Sequence, residues 1–588
     1  MEHENRCVRI QLHNLKGRES GDGGERVRVR MESREDLKSI LPFLPLVLES
    51  SSLDWPSPAV KTLKALSQGP DHSNVNSGEF LFLAISDLRH SLALYSQPLA
   101  VSVADGYSLF FDDLISRDES AKWFGEVMPA LATLLLRFPS LLETHYQRSK
   151  DVVTGISTGL RLLPSQKPGL VFLSQELIAA LLACSFLCLF PITSRGAKCL
   201  PMINFDHLFA SLYHSYHLTQ ENKIKCIMHY FKRICSDIPM GCVSFERKVL
   251  SFECSSYSVP YPKVDYWSKS VASLSQFKVH ESGLIEDHGD ALEVDFANMY
   301  IGGGALSRGC VQEEIRFMVN PELIAGMLFL PRMADNEAIE IVGAERFSNY
   351  TGYGSSFRFS GNHVDNREVD FMGRRKTRII AIDALCCPGL RQYGTEWRLI
   401  RHSVHCKKSI EETQSLGAHL GQDANDCIEM LELPEIIEGS STSTEVNYIS
   451  CGHSVNRKCQ GKNNGYVDHQ DEIGIATGNW GCGAFGGDPE LKAIIQWIAA
   501  SQALRPSISY FTFGEQSLQM LDQVSDWILS HEWTVGDLWN MLVEYSKQRL
   551  KLETKLGFFA WLLPSLRADQ MDLYESGKTE PTANTMKD

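Results

Sequence analysis

Short runs rich in β-branched and aromatic residues alternate with helical patterns in the second half of the chain. The clearest runs are residues 292–296, 338–342, 378–384 and 508–513. Residues 491–500, which lie between two such runs, have the spacing of a crossover helix. A sheet whose strands alternate with helices buries both of its faces, so this pattern predicts an α/β layer fold.

The first half of the chain has a mostly helical pattern. Met128, Leu131 and Leu135 recur at helical spacing, and Ser174 precedes an apolar stretch as a helix cap would. That stretch, residues 177–190, is shorter than the roughly 20 residues that a membrane-spanning helix needs. We therefore expect a buried helix, inside a helical scaffold that carries no obvious chemistry, and no membrane association.

Shifts in composition divide the chain further. We expect a flexible N-terminal extension over residues 1–30, a helical accessory domain over 31–245 and an α/β domain over 246–550. Within the α/β domain, the serine- and asparagine-rich residues 405–468 indicate an insertion that loops out. Residues 565–588 are polar and charged, which predicts a disordered tail.

Charge and cysteine content limit the class of protein. A net charge of -15 argues against a protein that grips polyanions through a broad basic face, so an anionic substrate must be recognised by local donors. The cysteines are scattered, form no C-x-x-C pair and include the adjacent Cys386 and Cys387. The N-terminal residues lack the apolar core of a secretory signal. These features favour reduced thiols in an intracellular protein.

The first candidate site lies where the strand-like residues 292–296 lead into Gly302, Gly303 and Gly304. Consecutive glycines expose backbone N–H groups without side chains, which lets a phosphate or a ribose come close. A tight turn without a ligand is the alternative. The spacing is not the G-x-G-x-x-G fingerprint, so it gives little support to a nicotinamide-dependent enzyme.

Gln312, Glu313 and Glu314 follow these glycines. Two carboxyl groups beside a close-approach loop favour a glycosidase. Because neighbouring side chains point in different directions in a regular helix or strand, we expect one glutamate to protonate the leaving oxygen and the other to hold ribose hydroxyls. A bare Glu-Glu pair is also typical of a helix N-terminus or a charged surface, and these alternatives stay open at this point.

A second glycine-rich segment spans residues 477–488 and precedes a predicted helix. Its backbone N–H groups would cradle a diphosphate, and Phe485 would stack on a ribose or a base. Cys482 has no neighbouring histidine, so we interpret it as a small buried thiol rather than a nucleophile. Tyr350 and Tyr353 are able to stack on a purine, although such aromatic residues are more often part of a core.

A metal site is the weaker interpretation of the histidines and cysteines in and beside the insertion. The candidate ligands are His402, His405, Cys406, Cys451, His453 and Cys459. Their spacings match no familiar zinc site, so we predict no metal, with zinc as the alternative.

Together these segments resemble the poly(ADP-ribose) glycohydrolase family. The signature is GGGALSRGCVQEE, and the supporting segments are VDFAN, EIRFMVNPELI, YTGY, ATGNWGCGAFGGD, SQELIAALLACSFLCLFP and NFDHLF. The resemblance covers residues 31–550. It implies an α/β (α+β) fold with a macrodomain-like mixed sheet flanked by helices, preceded by a mostly helical accessory domain.

The resemblance also implies roles for individual residues. Glu314 would be the catalytic acid and Glu313 its partner on the ribose hydroxyls, while Asp295 and Asn298 would support that ribose. The other implied substrate-binding residues contact the rest of the substrate. They are Ile285 and Glu286 at the adenine, with Tyr353 stacked on it; Asn479, Gly481, Cys482, Gly483, Ala484 and Phe485 at the diphosphate and distal ribose; and Phe513, which closes the site. The resemblance also implies that Gly303, Gly304, Gln312 and Tyr350 bind substrate.

The implied function is hydrolysis of the ribose–ribose glycosidic bonds of poly(ADP-ribose) on modified proteins, which releases ADP-ribose through an oxocarbenium-like state. We expect no cofactor, a monomer, no sequence-specific nucleic-acid binding, and a nuclear and cytoplasmic location linked to the DNA damage response. Two other classes stay open. A non-enzymatic ADP-ribose reader would need no acid at Glu314. An ordinary sugar glycosidase would need no pair of glycine loops suited to a diphosphate.

Overall fold

The computed structural model describes residues 31–149, 152–153, 155–214, 218–250, 264–393 and 473–563. The predicted N-terminal extension, insertion and tail lie outside the described residues, and so do the six candidate metal ligands. Those assignments stay predictions.

A mixed sheet forms the centre of the fold. The strands among the described residues are β1 (Val47–Glu49), β2 (Ser52–Asp54), β3 (Gly169–Ser174), β4 (Cys242–Val249), β5 (Gln276–His280), β6 (Ala291–Asp295), β7 (Glu337–Val342), β8 (Ser348–Thr351), β9 (Arg358–Asn362), β10 (Arg378–Ala381), β11 (Gly474–Gly478) and β12 (Ser507–Phe511). The 8-stranded sheet has the order β3-β4-β7-β10-β6-β11-β12-β5, while β1-β2 and β8-β9 form separate 2-stranded sheets. Neighbours from β10 to β5 pair in parallel, and neighbours from β3 to β10 pair antiparallel.

Helices lie before and between these strands. Those that precede β4 are Glu35–Ile40, Ser57–Ser67, Pro70–Ser73, Gly78–Ser91, Val103–Ser108, Arg117–Lys122, Met128–Arg148, Gln175–Phe186, Asp206–His214 and Leu218–Ser236. Those that follow it are Val264–Ser268, Gln312–Val319, Pro489–Gln502, Leu521–Ser530, Val535–Leu550 and Phe558–Leu562.

The strand and crossover predictions are confirmed. The four predicted runs correspond to β6, β7, β10 and β12, and the predicted crossover helix is Pro489–Gln502, between the parallel strands β11 and β12. Strand side chains alternate between two faces, so a continuous apolar run must be covered on both sides. Ile379 and Ala381 belong to the core shared with the helical half, whereas Ile380 and Ile382 belong to the core under helix Pro489–Gln502.

Helix Gln175–Phe186 is the buried helix expected from its apolar sequence. The Ser174 hydroxyl caps it by accepting a hydrogen bond from the Leu177 N–H at 3.2 Å. Apart from Glu176, its residues are buried. By length and composition, one helical stretch among the described residues, Arg117–Arg148, would be able to cross a membrane, and 44% of its most apolar window is buried inside this fold.

The helical half also contributes two strands to the sheet, which the sequence pattern did not indicate. β3 lies between helices, and its short run ends directly at the cap of helix Gln175–Phe186. The predicted boundary between residues 245 and 246 falls inside β4 (Cys242–Val249). The two halves are therefore joined by strand pairing as well as by side-chain packing.

The close packing of two helices at Gly106 generates a prediction. A Cβ atom there would collide with the Phe209 carbonyl group. Because that group belongs to the backbone of a packed helix, relieving the collision would require the helix to move. We expect Gly106→Ala to lower the free energy of unfolding by about 2–3 kcal/mol, measured by urea titration. The control is Gly125→Ala, because nothing lies within 4 Å of the added Cβ. Equal losses in the two variants would contradict this packing.

Candidate active site

Asp295 and the second glycine loop (residues 477–488), two predicted parts of the site, lie at one edge of the sheet. The carboxyl ends of β10, β6, β11, β12 and β5 meet there because these strands are parallel neighbours. Asp295 ends β6, and the second glycine loop begins at the end of β11. Loops after parallel strands leave the sheet on the same side, so residues far apart in sequence come together.

Glu313 lies in the first turn of the acid helix (Gln312–Val319) and is 3% exposed. Its carboxylate oxygens accept hydrogen bonds from the N–H groups of Asn298, at 2.9 Å, and Gly302, at 2.6 Å. Hydrogen bonds to a charged acceptor are stronger than neutral ones, so these two donors offset part of the cost of burying a carboxylate.

Glu314 is held in the same way and is 7% exposed. One oxygen accepts from the Gly304 N–H at 2.8 Å, and the other accepts from the Val311 N–H at 2.8 Å. In the bond to Val311, the third residue of the helix reaches back to the backbone N–H of the residue before its start, as a glutamate does in a capping box, although valine has no side-chain acceptor for the reciprocal bond. The positive end of the helix dipole adds to the stabilisation of this carboxylate.

The first glycine loop (residues 302–304) uses its glycines to hold Glu313 and Glu314, and not to receive substrate as the sequence predicted. We expected its N–H groups to be open to a phosphate or a ribose. The Gly302 and Gly304 N–H groups instead donate to the two glutamates, and the Gly303 N–H donates to the Tyr300 carbonyl at 2.9 Å. A Cβ on Gly303 would lie 2.6 Å from an oxygen of one glutamate and 2.7 Å from an oxygen of the other.

The loop also explains how two adjacent glutamates serve one site. Gly302, with φ +86°, and Gly303, with φ +46°, adopt backbone conformations that favour glycine. They let the chain wrap around the start of the acid helix, so both glutamates reach the loop from a regular helical turn.

Asp295 completes a group of three buried carboxyl groups. Neither of its oxygens has a hydrogen-bond partner among the described residues. Burial raises the pKa of Asp295 to about 7, with Arg316 opposing the rise and Glu314 adding to it. Burial also raises the pKa of Glu313 well above its ordinary value, helped by both neighbouring acids. Such groups titrate together, so the site retains a proton near neutral pH.

Gln312 and Asn298 fix the backbone around these acids. The Gln312 side chain accepts from the Phe296 N–H at 2.8 Å and donates to the Val294 carbonyl at 3.2 Å. It therefore ties the end of β6 to the acid helix. The Asn298 side chain accepts from the Tyr300 N–H at 3.0 Å, which shapes the turn leading into the first glycine loop.

A network of buried charges joins the acid helix to strand β6, and it was not identified from the sequence. Arg316 of the acid helix pairs with Glu293 of β6, and its guanidinium lies 3.9 Å from the Glu286 carboxylate. Arg367 lies 2.8 Å from the other Glu293 oxygen and donates to the Glu286 carbonyl at 2.6 Å. The Tyr350 hydroxyl donates to the Glu286 carboxylate at 2.6 Å. The signal in the sequence that indicates this network is Glu293, a charged residue between the apolar Leu292 and Val294 of β6.

Lys223 is a second residue that sequence analysis missed. It lies on helix Leu218–Ser236, in the half expected to carry no obvious chemistry, and its side chain is buried. Its ammonium donates to the carbonyls of Gly304 at 3.3 Å, Ser307 at 2.8 Å and Gly309 at 2.6 Å. Burial lowers its pKa to about 8. The helical half therefore holds the loop that holds Glu314.

The second glycine loop is anchored at its start. The Asn479 side chain donates to the Thr512 carbonyl at 2.9 Å and accepts from the Tyr510 hydroxyl at 3.2 Å. Phe513 is 48% exposed and lies over the loop, since a Cβ on Gly478 would be 3.0 Å from its ring. Asn479 and Phe513 thus occupy the same edge as the acids.

The same loop offers backbone donors to an anion. The N–H groups of Gly483, Ala484 and Phe485 donate to no other residue in the described part of the chain. Gly483 and Ala484 are exposed, and Phe485 is half-buried. The following helix, Pro489–Gln502, is capped by the side chain of Asp488, so the open donors belong to the loop rather than to the helix.

Three other predicted residues differ in how they face the site. Tyr353 is 56% exposed, and its hydroxyl lies by the Gln312 N–H at the start of the acid helix. Ile285 is buried against Phe511, so its side chain packs in the core. Cys482 is half-buried and its thiol donates to a neighbouring carbonyl at 3.5 Å.

The burial of Asp295 generates a pH prediction. Between its ordinary pKa of 3.8 and its folded value of about 7, the unfolded chain has lost this proton and the folded chain has kept it. The free energy of unfolding therefore falls as the pH rises through this window. For one proton the fall is at most about 1.4 kcal/mol per pH unit. We expect Asp295→Asn to remove the contribution of Asp295 to that fall while the contribution of Glu313 remains, so the stability of the variant relative to the wild type increases from about pH 4 to pH 8.

Urea unfolding at several pH values would measure this difference. The control is Asp113→Asn, which removes an exposed carboxylate in the helical half. An unchanged difference between Asp295→Asn and the wild type across that range would contradict the assignment of a retained proton.

Comparison with known proteins gives the family. Residues 264–520 match the poly(ADP-ribose) glycohydrolase family in its macro domain fold, and residues 115–247 match its helical domain. The chain is 57% identical over 552 residues to poly(ADP-ribose) glycohydrolase 1 of Arabidopsis thaliana, covering 91% of this chain and 98% of the relative. It is 52% identical over 541 residues to probable poly(ADP-ribose) glycohydrolase 2 of the same plant, covering 91% and 100%. This chain belongs to the poly(ADP-ribose) glycohydrolase family.

Proposed function

We propose that this chain hydrolyses the ribose–ribose glycosidic bonds of poly(ADP-ribose) and releases ADP-ribose. The observation that carries the proposal is the buried Glu314, held by the first glycine loop beside Glu313 and Asp295. Burying three carboxyl groups together disfavours folding, and such clusters are characteristic of sites that move a proton. Membership of the family supports the choice of substrate.

Glu314 has the geometry for both proton transfers. It protonates the leaving ribose oxygen as the glycosidic bond breaks and the anomeric carbon becomes oxocarbenium-like. As a carboxylate, it then takes a proton from the water that attacks this carbon. Each of its oxygens accepts one N–H, which leaves a lone pair for the transferred proton.

Glu313 and Asp295 support this cycle without being the acid. The raised pKa of Asp295, about 7, keeps a proton within the group at neutral pH. Glu313 is fixed by two N–H donors, so its remaining lone pairs are held in place to accept ribose hydroxyls. Restricting the ribose in this way brings its anomeric carbon to the acid.

The second glycine loop supplies a place for the diphosphate. The N–H groups of Gly483, Ala484 and Phe485 are open donors at the edge that also carries the acids. A diphosphate bound there would place negative charge near the oxocarbenium-like sugar and stabilise it. The net charge of -15 supports recognition by these local donors rather than by a broad basic face.

The proposal extends to the partners of the chain. Poly-ADP-ribosylated proteins are the macromolecular substrates, and sequence-specific nucleic-acid binding is not expected, since the chain lacks a strongly basic composition. We also propose that the chain acts as a monomer.

A non-enzymatic ADP-ribose reader and an ordinary sugar glycosidase remain the two rivals. Incubation with labelled poly(ADP-ribose) and, separately, with neutral oligosaccharides distinguishes them. The proposal expects ADP-ribose from the polymer and no cleavage of the oligosaccharides. A reader would bind ADP-ribose and leave the polymer intact.

Replacement of the acid is the direct test. We expect Glu314→Gln to lower the rate of ADP-ribose release by about a thousandfold or more while ADP-ribose binding changes little, because the amide keeps the shape and loses the transferable proton. The matched control is Glu322→Gln, at a buried glutamate outside the site whose pKa is raised to about 8 by burial. Near-normal turnover in Glu314→Gln would reject the assignment.

The first glycine loop generates a second test. Gly303→Ala places a methyl group within 2.7 Å of both glutamates and strains a backbone with φ +46°. We expect kcat to fall about a hundredfold, since displacing the acid by about 1 Å is enough for a loss of that size. Gly373→Ala is the control, because its φ is also positive and its added Cβ meets nothing within 4 Å. Equal effects on kcat would show that backbone strain alone is responsible.

A further inference from the structure

Cys386 and Cys387 form an exposed pair of adjacent thiols in the segment after β10. Their sulfur atoms are 3.6 Å apart, with the Cys386 thiol donating to the Cys387 sulfur. This hydrogen bond is the main reason why the pKa of Cys386 is raised. Cys386 is therefore the donor of this hydrogen bond, and the Cys387 sulfur is its acceptor.

The segment that carries the pair supports the second glycine loop at three points. The Trp480 indole donates to the Ile382 carbonyl at 3.0 Å. Gly481 packs so closely on Ala384 that an added Cβ would lie 2.7 Å from the alanine Cβ. The Cys387 N–H donates to the Phe485 carbonyl at 2.9 Å. A change in the backbone at Cys387 is therefore transmitted directly to the loop.

The backbone at Cys387 has little freedom to absorb such a change. Its φ of +48° is unusual for a residue with a side chain, and Pro388 follows it. A disulfide between neighbours closes a ring across one peptide bond, with Cα atoms about 3.8 Å apart instead of the usual 4.4–6.8 Å. Forming it must rotate the backbone at one or both cysteines.

We propose that Cys386 and Cys387 are an oxidation site for peroxides, and that their disulfide loosens the second glycine loop and weakens its hold on a diphosphate. The last step rests on the proposed function. The thiolate of Cys387 attacks one peroxide oxygen, the O–O bond breaks, and a sulfenic acid and water form once the leaving oxygen is protonated. The Cys386 sulfur then displaces the sulfenic hydroxyl, losing its proton, and a disulfide and a second water form. Two thiols are oxidised and one peroxide is reduced to two waters.

The disulfide is expected to be readily reversible. Its ring is strained, and strained, exposed disulfides are the ones that dithiols reduce most easily. Dithiothreitol would exchange with it through a mixed disulfide and return both cysteines to thiols, with the oxidised reductant as the by-product.

The test uses the full chain, exposed to hydrogen peroxide and then alkylated. We expect the peptide with Cys386 and Cys387 to be lighter by two hydrogens and to escape alkylation. We expect amide exchange at Gly486 and Gly487, whose N–H groups bond within the loop, to become about tenfold faster. ADP-ribose binding should weaken about tenfold, and dithiothreitol should reverse all three changes.

Two variants separate this pair from other thiols. Cys386→Ser removes one sulfur and keeps the Cys387 N–H, so its loop exchange should not respond to peroxide. Cys482→Ser, which removes the thiol within the loop, should leave the oxidation of the pair unchanged. The proposal would be overturned if both cysteines could still be alkylated after peroxide treatment, or if the disulfide formed and amide exchange in the loop did not change. It would also be overturned if amide exchange in Cys386→Ser responded to peroxide as fully as in the wild type. Failure of the proposed function would appear separately, as intact polymer with fully reduced protein.

Discussion

The hydrogen bonds from the first glycine loop to Glu313 and Glu314 are the interaction on which the site depends. Two adjacent carboxylates buried without donors would repel each other and lose their hydration. The loop supplies the donors from its backbone, and its lack of side chains leaves room for the carboxylates. The same glycines that permit this approach also permit the chain to turn around the start of the acid helix.

Two buried cations support the two glutamates and the loop that binds them. Arg316 of the acid helix pairs with Glu293 of β6, which joins the helix to the centre of the sheet. Lys223 binds three carbonyls of the segment that contains the loop. Each cation reduces the cost of burying nearby negative charge, and Lys223 makes the helical half part of the active site.

Much of the fold was predictable because it depends on local patterns. Strands β6, β7, β10 and β12 lie in short runs rich in β-branched and aromatic residues, and Ser174 precedes a helix as an N-cap should. β3 was missed, because six residues between two helices carry no period that distinguishes a strand. Lys223 and Arg316 were missed for another reason: the partner of a buried charge lies far away in sequence, on an element whose position is set by packing.

The types of element, the two glycine-rich loops and the acids beside them follow from the amino-acid sequence alone, because apolar period, glycine and carboxylate are local properties of a chain. The family follows from it as well, since the motifs are contiguous. The use of the glycines, the donors that stay open and the cations that support the acids are visible only in the three-dimensional structure. Those outcomes depend on distances between segments, such as the 2.6 Å between the Lys223 ammonium and the Gly309 carbonyl, and parallel strand pairing brings the loops to one edge.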